Sequence, residues 1–156
     1  MDRVAEGEID IHDGLENTLT ILAHKLRGLA VERRYDRGLA HVCARGSELN
    51  QVWTNLIDNA IDAVKGVPER REDGRIVIRT ARDGDRVLVE IADNGPGVPP
   101  EIQGRIFEPF FTTKGVGEGT GIGLDISYRI VTGHGGNLRV ESVPGDTRFQ
   151  VRLPVA

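Results

Sequence analysis

Short amide and carboxylate side chains form a stripe along residues 48–64. Drawn as a helix at 100° per residue, this stretch places apolar side chains on one half and gathers a polar set on the other: Gln51, Thr54, Asn55, Asp58, Asn59 and Asp62. A solvated helix face usually carries longer charged side chains, and Asn and Asp are poor helix formers. Short oxygen-bearing side chains suit a hard cation. The stripe is therefore either a solvated face or, in the functional interpretation, a site for magnesium with a nucleotide.

A carboxylate ends the most apolar predicted strand. Alternation over residues 86–93 places Asp93 on the same face as Val87, Val89 and Ile91, which is the buried face. A carboxylate that points into an apolar layer requires a hydrogen-bond donor. One interpretation is an Asx-turn with Asn94 and Gly95. The functional interpretation is a purine pocket, because a carboxylate accepts from the amine of adenine but not from the carbonyl of guanine.

A glycine-rich run, GVGEGTGIGL, occupies residues 115–124 and precedes a predicted helix. It has neither the G-x-G-x-x-G spacing of dinucleotide-binding folds nor the Lys and Ser or Thr of a Walker A loop. Free N–H groups at the start of the helix would favour an anion, with Thr120 and Lys114 adding a hydroxyl and a cation. We interpret the first half, with Gly115, Gly117 and Glu118, as a lid hinge, and the second half as the stretch that meets phosphate.

Four motifs in this order resemble one family. They are an N box at 48–63 that contains NQVWTNLIDNAIDA, a G1 box at 93–97 that begins the stretch DNGPGVP, an F box at 107–114 within IFEPFFTTK, and a G2 box at 119–124, GTGIGL. The chain is similar, over nearly its whole length, to the ATP-binding catalytic domain of sensor histidine kinases, within the group that includes DNA gyrase B and heat-shock chaperone ATPases. The resemblance implies an α+β fold, a two-layer α/β sandwich of the Bergerat ATP-binding type. About five main strands would form a mixed sheet with about three helices on one face, and ATP and Mg2+ would bind under a mobile lid.

The resemblance also assigns roles to residues. Asn59 would be the metal ligand, Asp93 would accept from the adenine amine, and Phe107, Phe110 and Phe111 would anchor the lid. Thr147 would lie near adenine, although Asp146 stands where the family often has glycine. The catalytic residues implied are Asn55, Asn59 and Lys114. The cofactor-binding residues implied are Asn55, Asn59, Asp62, Asp93, Gly95, Gly97, Thr113, Lys114, Gly119, Thr120, Gly121, Gly123, Leu124 and Thr147.

The residue one turn before the magnesium ligand separates three activities. Gyrase-like ATPases and anti-sigma-factor serine kinases carry Glu there, because water and a serine hydroxyl need a general base. Asn55 cannot take a proton, so the sequence favours phosphoryl transfer to histidine and predicts slow hydrolysis. The alternatives are a serine kinase of the anti-sigma type and a nucleotide-binding regulatory module that acts by lid closure.

The acceptor histidine is expected elsewhere. His12 and His24 lie too close to the N box to be the family's acceptor, so we expect residues 1–156 to form one catalytic domain without a histidine-phosphotransfer and dimerisation domain. The partners implied are ATP, a histidine-bearing domain in cis in a longer protein or in trans, and indirectly a response regulator. A net charge of −4 argues against nucleic acid. The absence of a long apolar run predicts no transmembrane segment, and the expected location is cytoplasmic. Cys43, with apolar neighbours, is expected to be buried.

Local patterns predict the elements that position these residues. Asp13 is the predicted N-cap of a first helix that contains Leu15, Leu19 and Leu22. A long connector, 94–121, is expected to be functional or mobile. The remaining predictions are strands at 8–11, 30–35, 41–44, 75–81, 86–93, 137–142 and 148–154, and helices at 47–64 and 123–133.

Overall fold

A computed structural model describes residues 6–68, 72–109, 111 and 123–156. Its helices are α1 (Ile11–Ile21), α2 (Gly46–Lys65), α3 (Pro100–Gln103) and α4 (Gly123–Gly133). Its strands are β1 (Gly7–Ile9), β2 (Ala30–Arg34), β3 (Val42–Ala44), β4 (Arg75–Asp83), β5 (Arg86–Asp93), β6 (Asn137–Val143) and β7 (Asp146–Pro154). None of the helices in this described part of the chain is long and apolar enough to cross a membrane.

The main sheet has five strands in the order β2-β4-β5-β7-β6. The pairing of β2 with β4 is parallel and the other three pairings are antiparallel, so the sheet is mixed. A separate antiparallel ribbon joins β1 to β3, and a bridge between Val42 and Val155 connects it to the end of β7. The predicted α+β class, the five main strands and the mixed sheet are confirmed.

The core lies between this sheet and the helices. Alternate residues of β5, namely Val87, Val89 and Ile91, are fully buried and share one cluster with the apolar side of α2. The two centrally placed aromatic side chains are Trp53 from α2 and Phe149 from β7, each about 1% exposed. The predicted apolar side of α2 is buried except for Ala63, which is half-buried. Helix α2 is thereby held with its polar stripe turned away from the sheet.

Two local predictions need correction, and the structure adds one element. The cap of α1 is Asp10, whose Oδ1 accepts from the His12 N–H at 2.8 Å, whereas Asp13 lies in the first turn. Cys43 is exposed, because the alternation of β3 buries Val42 and Ala44 and turns the residue between them outward. The long connector also contains the short helix α3, which begins with Pro100 in a position that suits proline because no N–H is needed there.

Candidate nucleotide-binding site

Asn55 connects the middle of α2 to the first turns of α4. Its Nδ2 donates to the Gly123 carbonyl at 3.1 Å and to Ser127 Oγ at 3.3 Å. Ser127 is fully buried and was not predicted; its only signal in the sequence is its position four residues after Gly123. Asn59 lies one turn further along α2 and is half-buried, and its side-chain amide makes no hydrogen bond to any residue that the structure describes. The two predicted amides therefore differ: one holds α4, and the other is available to a ligand.

Asp93 is buried at the end of β5, as predicted, with 4% of its surface exposed. Its Oδ1 accepts from the Gly95 N–H at 2.8 Å, which is the Asx-turn that the sequence also allowed. Desolvation raises the pKa of this carboxyl to about 6; the Gly95 N–H opposes the rise in pKa and the charge of Asp146 adds to it. A buried carboxyl with one N–H partner is suited to accept a further donor, which is the chemistry an adenine amine offers.

Thr147 lies directly opposite Asp93 in the register of β5 and β7 and is also buried. Its Oγ1 is 2.8 Å from Ser142 Oγ on the neighbouring strand β6. Ser142 Oγ in turn accepts from the Val98 N–H at 2.7 Å, and so fixes the backbone that follows the Gly95–Gly97 segment. Sequence reasoning missed Ser142, whose signal is its pairing opposite Thr147 in the β6–β7 hairpin. The predicted neighbours Asp93 and Thr147 are thus brought together on one face.

Gly95 and Gly97 are held against the protein's own backbone. A Cβ at Gly95 would lie 2.8 Å from Asp93 Oδ1 and 3.1 Å from the backbone carbon of Ala63 in α2. Gly97 has φ +89°, and a Cβ there would lie 2.9 Å from the Val143 carbonyl oxygen. Both positions therefore need glycine for packing, whether or not a base also approaches.

Gly123, in contrast, would place a Cβ at an ordinary 3.7 Å from Asn55, so packing among the described residues does not demand glycine there. Leu124 beside it is half-buried and packs against the core. The other predicted residues of the glycine run and the F box lie outside the described residues: Phe110, Thr113, Lys114, Gly115, Gly117, Glu118, Gly119, Thr120 and Gly121.

The F-box aromatic side chain Phe107 is partly buried against the core. Its ring stacks on Tyr128 of α4 with centroids 5.5 Å apart and meets Phe149 edge-on at 6.3 Å. Phe111 packs beneath the guanidinium of Arg105, whose Cζ is 4.9 Å from the ring centroid. These contacts attach the beginning of the F box to α4 and the sheet.

Asp62 lies beside a cation that the sequence did not predict. Lys25 Nζ is bonded to Asp58 Oδ1 and lies 4.0 Å from Asp62 Oδ1. The hydrogen bond with Asp58 is the main cause that raises the pKa of Lys25, which stays charged. The contact joins residues 33 positions apart, so helical periodicity gave no signal for it. Lys25 offsets part of the negative charge that the two aspartates add to the stripe.

The donor set fits magnesium held mainly by a nucleotide. Among the described residues there is no group of three His, Cys, Asp or Glu side chains that could hold a metal ion. The Asn59 amide oxygen is a hard ligand, and Mg2+ commonly takes one or two protein oxygens while phosphates and waters supply the rest.

A family model described as histidine kinase-, DNA gyrase B- and HSP90-like ATPase matches residues 44–156. Sensory histidine kinase/phosphatase NtrB of Vibrio alginolyticus is 34% identical over 157 residues, which cover 94% of this chain and 43% of the relative. The chain thus spans less than half the length of that relative.

Solved structures of histidine kinases are also similar to this chain. The catalytic domain of histidine kinase ThkA superposes with a TM-score of 0.84 at 29% identity, covering 99% of this chain and 97% of that one. Full-length ShkA in complex with AMPPNP superposes with a TM-score of 0.83 at 28% identity, covering 99% of this chain and 32% of ShkA. ThkA has also been solved in complex with response regulator protein TrrA. That structure superposes on this chain with a TM-score of 0.78 at 26% identity, covering 97% of this chain and 42% of that one.

Proposed function

Because the chain belongs to the family of histidine kinase-, DNA gyrase B- and HSP90-like ATPases, we propose that it binds Mg-ATP and donates the γ-phosphoryl group to a histidine on a separate domain or protein. It would be the ATP-binding catalytic domain of a two-component sensor histidine kinase. Its product would be a phosphohistidine that a response regulator then uses. The relatives' names and the ShkA and ThkA complexes are consistent with these partners.

The observation that carries the proposal is the buried carboxyl of Asp93 beside Thr147. Burying a carboxylate is costly unless a donor compensates it, and the Gly95 N–H is one donor only. An exocyclic adenine amine would supply a second hydrogen bond to the ionised form. The carbonyl oxygen of guanine would instead face the carboxylate and be repelled, so the site would select adenine nucleotides.

The remaining roles follow from chemistry and position. Asn59 would hold Mg2+, with Asp62 nearby, and the ion would neutralise charge on the phosphates. Gly123 would present the N-terminal N–H groups of α4 to phosphate, and Gly119, Gly121, Thr113, Lys114 and Thr120 keep their roles as proposals. As the acceptor imidazole nitrogen bonds to the γ-phosphorus, the bond from that phosphorus to the β–γ bridging oxygen breaks and its electron pair leaves with ADP.

Asn55 favours histidine over water as the acceptor. Its amide donates to α4 and has no proton-accepting capacity of the kind a hydrolytic water requires. A neutral imidazole already carries a lone pair, so positioning and charge neutralisation suffice for the transfer. The domain would therefore hydrolyse ATP slowly without its acceptor.

Calorimetric titration with Mg-ATP and Mg-GTP tests the pocket. We expect binding of ATP and at least about tenfold weaker binding of GTP, a preference of the size that a mismatched polar contact produces. Loss of all binding, or a preference for GTP, would contradict the nucleotide site.

A second experiment tests the acceptor. The chain is incubated with γ-labelled ATP and a histidine-bearing phosphotransfer domain from a related kinase. An acid-labile label on that domain, and none on this chain, is the expected result. An acid-stable phosphoserine on a partner would support the serine-kinase alternative instead, and ATP-dependent partner binding without any transferred label would support a regulatory module.

A further inference from the structure

A histidine outside the nucleotide site joins the end of α4 to the beginning of α2. His134 follows directly after α4, and its Nδ1 lies 2.8 Å from the carbonyl oxygen of Ile130. Its Nε2 lies 3.2 Å from the backbone nitrogen of Arg45, the N-cap of α2, a contact across 89 positions of sequence.

These two partners fix the state of the ring. A carbonyl oxygen can only accept, so Nδ1 carries the hydrogen; a backbone N–H can only donate, so Nε2 offers its lone pair. The imidazole is therefore neutral, with its proton on Nδ1.

The contact at Arg45 replaces a missing local cap. In a capping box, the side chain at the third helical position accepts from the N-cap N–H. That position is Glu48, but its carboxylate pairs with Nε of Arg45 at 2.8 Å instead, and the Arg45 side chain does not cap the helix. The N-cap N–H donates to Nε2 of His134, the residue that follows the other helix.

The same two helices are joined a second time near the proposed site, where Asn55 bonds to the Gly123 carbonyl and Ser127. The two joints lie at opposite ends of α4. With the apolar packing between the helices, they constrain both the separation and the relative tilt of α2 and α4. Asn59 is on α2 and the N-terminal N–H groups are on α4, so a ligand that contacts both helices depends on that geometry.

We infer that His134 is a positioning residue for nucleotide binding, which holds α2 and α4 in register by capping α2 from the end of α4. The inference rests on the proposed function for its consequence, but the cap itself can be measured without nucleotide. The side chain of His134 lies at the end of α4 opposite the proposed phosphate site, so it is not a catalytic residue.

Two variants of Arg45 test the contact: one removes its backbone N–H, and the other is the matched control. Arg45 has φ −86° and ψ 108°, close to the range of proline, and Ala44 before it is in a strand, as a residue before proline prefers. Arg45→Pro deletes the N–H and the side chain, whereas Arg45→Ala deletes only the side chain and its ion pairs with Glu48 and Glu6. We expect Arg45→Pro to bind Mg-ATP about tenfold more weakly than Arg45→Ala. Equal affinities would overturn the inference.

Variants of His134 provide a second test of the same contact. Gln has a donor and an acceptor on one side chain, so His134→Gln should stay within about threefold of the wild-type ATP affinity, while His134→Ala loses about tenfold. In the His134→Ala background, Arg45→Pro and Arg45→Ala should bind ATP equally, since the contact that proline removes is already absent and both variants lose the same ion pairs. The exposed His24 supplies the control: His24→Ala should bind like wild type. Wild-type affinity in His134→Ala, or failure of Gln to restore it, would show that the contact is only structural.

Nitrogen-15 NMR of the wild-type chain separates this inference from the proposed function. The imidazole should show a proton on Nδ1 only, and the Arg45 amide should exchange slowly with solvent. A proton on Nε2 would overturn the cap even if ATP binds. If the wild type binds no ATP, the proposed function fails, while the NMR result still decides the cap. If His134→Ala does not fold, the comparison of Arg45→Pro with Arg45→Ala decides the effect on binding.

Discussion

Asp93 on β5 lies directly opposite Thr147 on β7, and both side chains are buried on the face of the sheet that the helices cover. An acid and a hydroxyl are thereby held side by side by main-chain pairing, without depending on flexible loops. Ser142 on the next strand continues the polar row through its contact with Thr147. The pairing of β5 with β7 therefore sets the positions of the two side chains that would face a base.

The affinity for ATP should depend on pH through Asp93. Burial raises the pKa of its carboxyl to about 6, and only the ionised form can accept from the adenine amine. Below pH 6 the affinity should therefore fall by about tenfold per pH unit, and it should level off above pH 7. Calorimetry from pH 5 to 8 measures this, and Asp93→Asn should bind weakly with a nearly flat profile. A wild-type profile as flat as that of the variant would contradict the role of Asp93.

Without nucleotide, the same residue should reduce stability at neutral pH. The pKa rises from 3.8 in the unfolded chain to about 6 in the fold, so between these values the folded state holds more protons and loses stability as pH increases. Asn cannot titrate and can still accept from Gly95. Asp93→Asn should therefore raise the free energy of unfolding at pH 8 by up to about 3 kcal/mol. Urea unfolding at pH 8 and pH 4 tests this; the gain should vanish at the lower pH.

Asn59→Ala should weaken the magnesium–nucleotide complex by about tenfold or more, because one oxygen ligand is lost. The exposed amide Gln51, on the same helix, supplies the control: Gln51→Ala should leave affinity unchanged. Titration of each variant with ATP, with and without Mg2+, measures the effect, and the loss should appear only with the metal. Unchanged affinity in both Asn59→Ala and Asp93→Asn would remove the site assignment.

Lys25→Met should lower the affinity for the anionic nucleotide by a few-fold, since it leaves the charges of Asp58 and Asp62 less compensated. All three side chains are over a third exposed, so the effect on folding stability should be small and the effect on binding should shrink in high salt. Arg139→Met, an exposed arginine on β6, removes the same charge elsewhere and serves as the control. Equal effects of the two variants would show that only net charge matters.

Gly136→Ala should destabilise the fold by about 2 kcal/mol or more, because its Cβ would lie 2.1 Å from the backbone oxygen of Arg152. Gly133, three residues earlier at the end of α4, has nothing within 4 Å of an added Cβ. Gly133→Ala should therefore be neutral or slightly stabilising, by up to about 1 kcal/mol. Thermal unfolding of both variants measures the difference, and equal stabilities would contradict the packing at β6 and β7.

The sequence alone determined the features that depend on local periodicity. The apolar side of α2 and the polar stripe beside it follow from the 3.6-residue repeat, and the burial of Asp93 follows from the two-residue repeat of β5. The order of the four boxes predicted the fold and the family. Local rules were insufficient where two residues compete for one role, as Asp10 and Asp13 do for the cap of α1. The apolar neighbours of Cys43 did not indicate its burial, because they alternate with it along β3 and take the buried face.

The tertiary structure decided which distant residues meet. Sheet register placed Asp93 beside Thr147, and helix packing placed Gly95 against Ala63. It also brought Lys25 to Asp58, and His134 to the N–H of Arg45. Such contacts leave no periodic signal, because their geometry depends on the strand order and on the spacing between helices. The residue types in the sequence specify the chemistry that is available, and the packing of α2, α4 and the sheet determines which of these groups can act together.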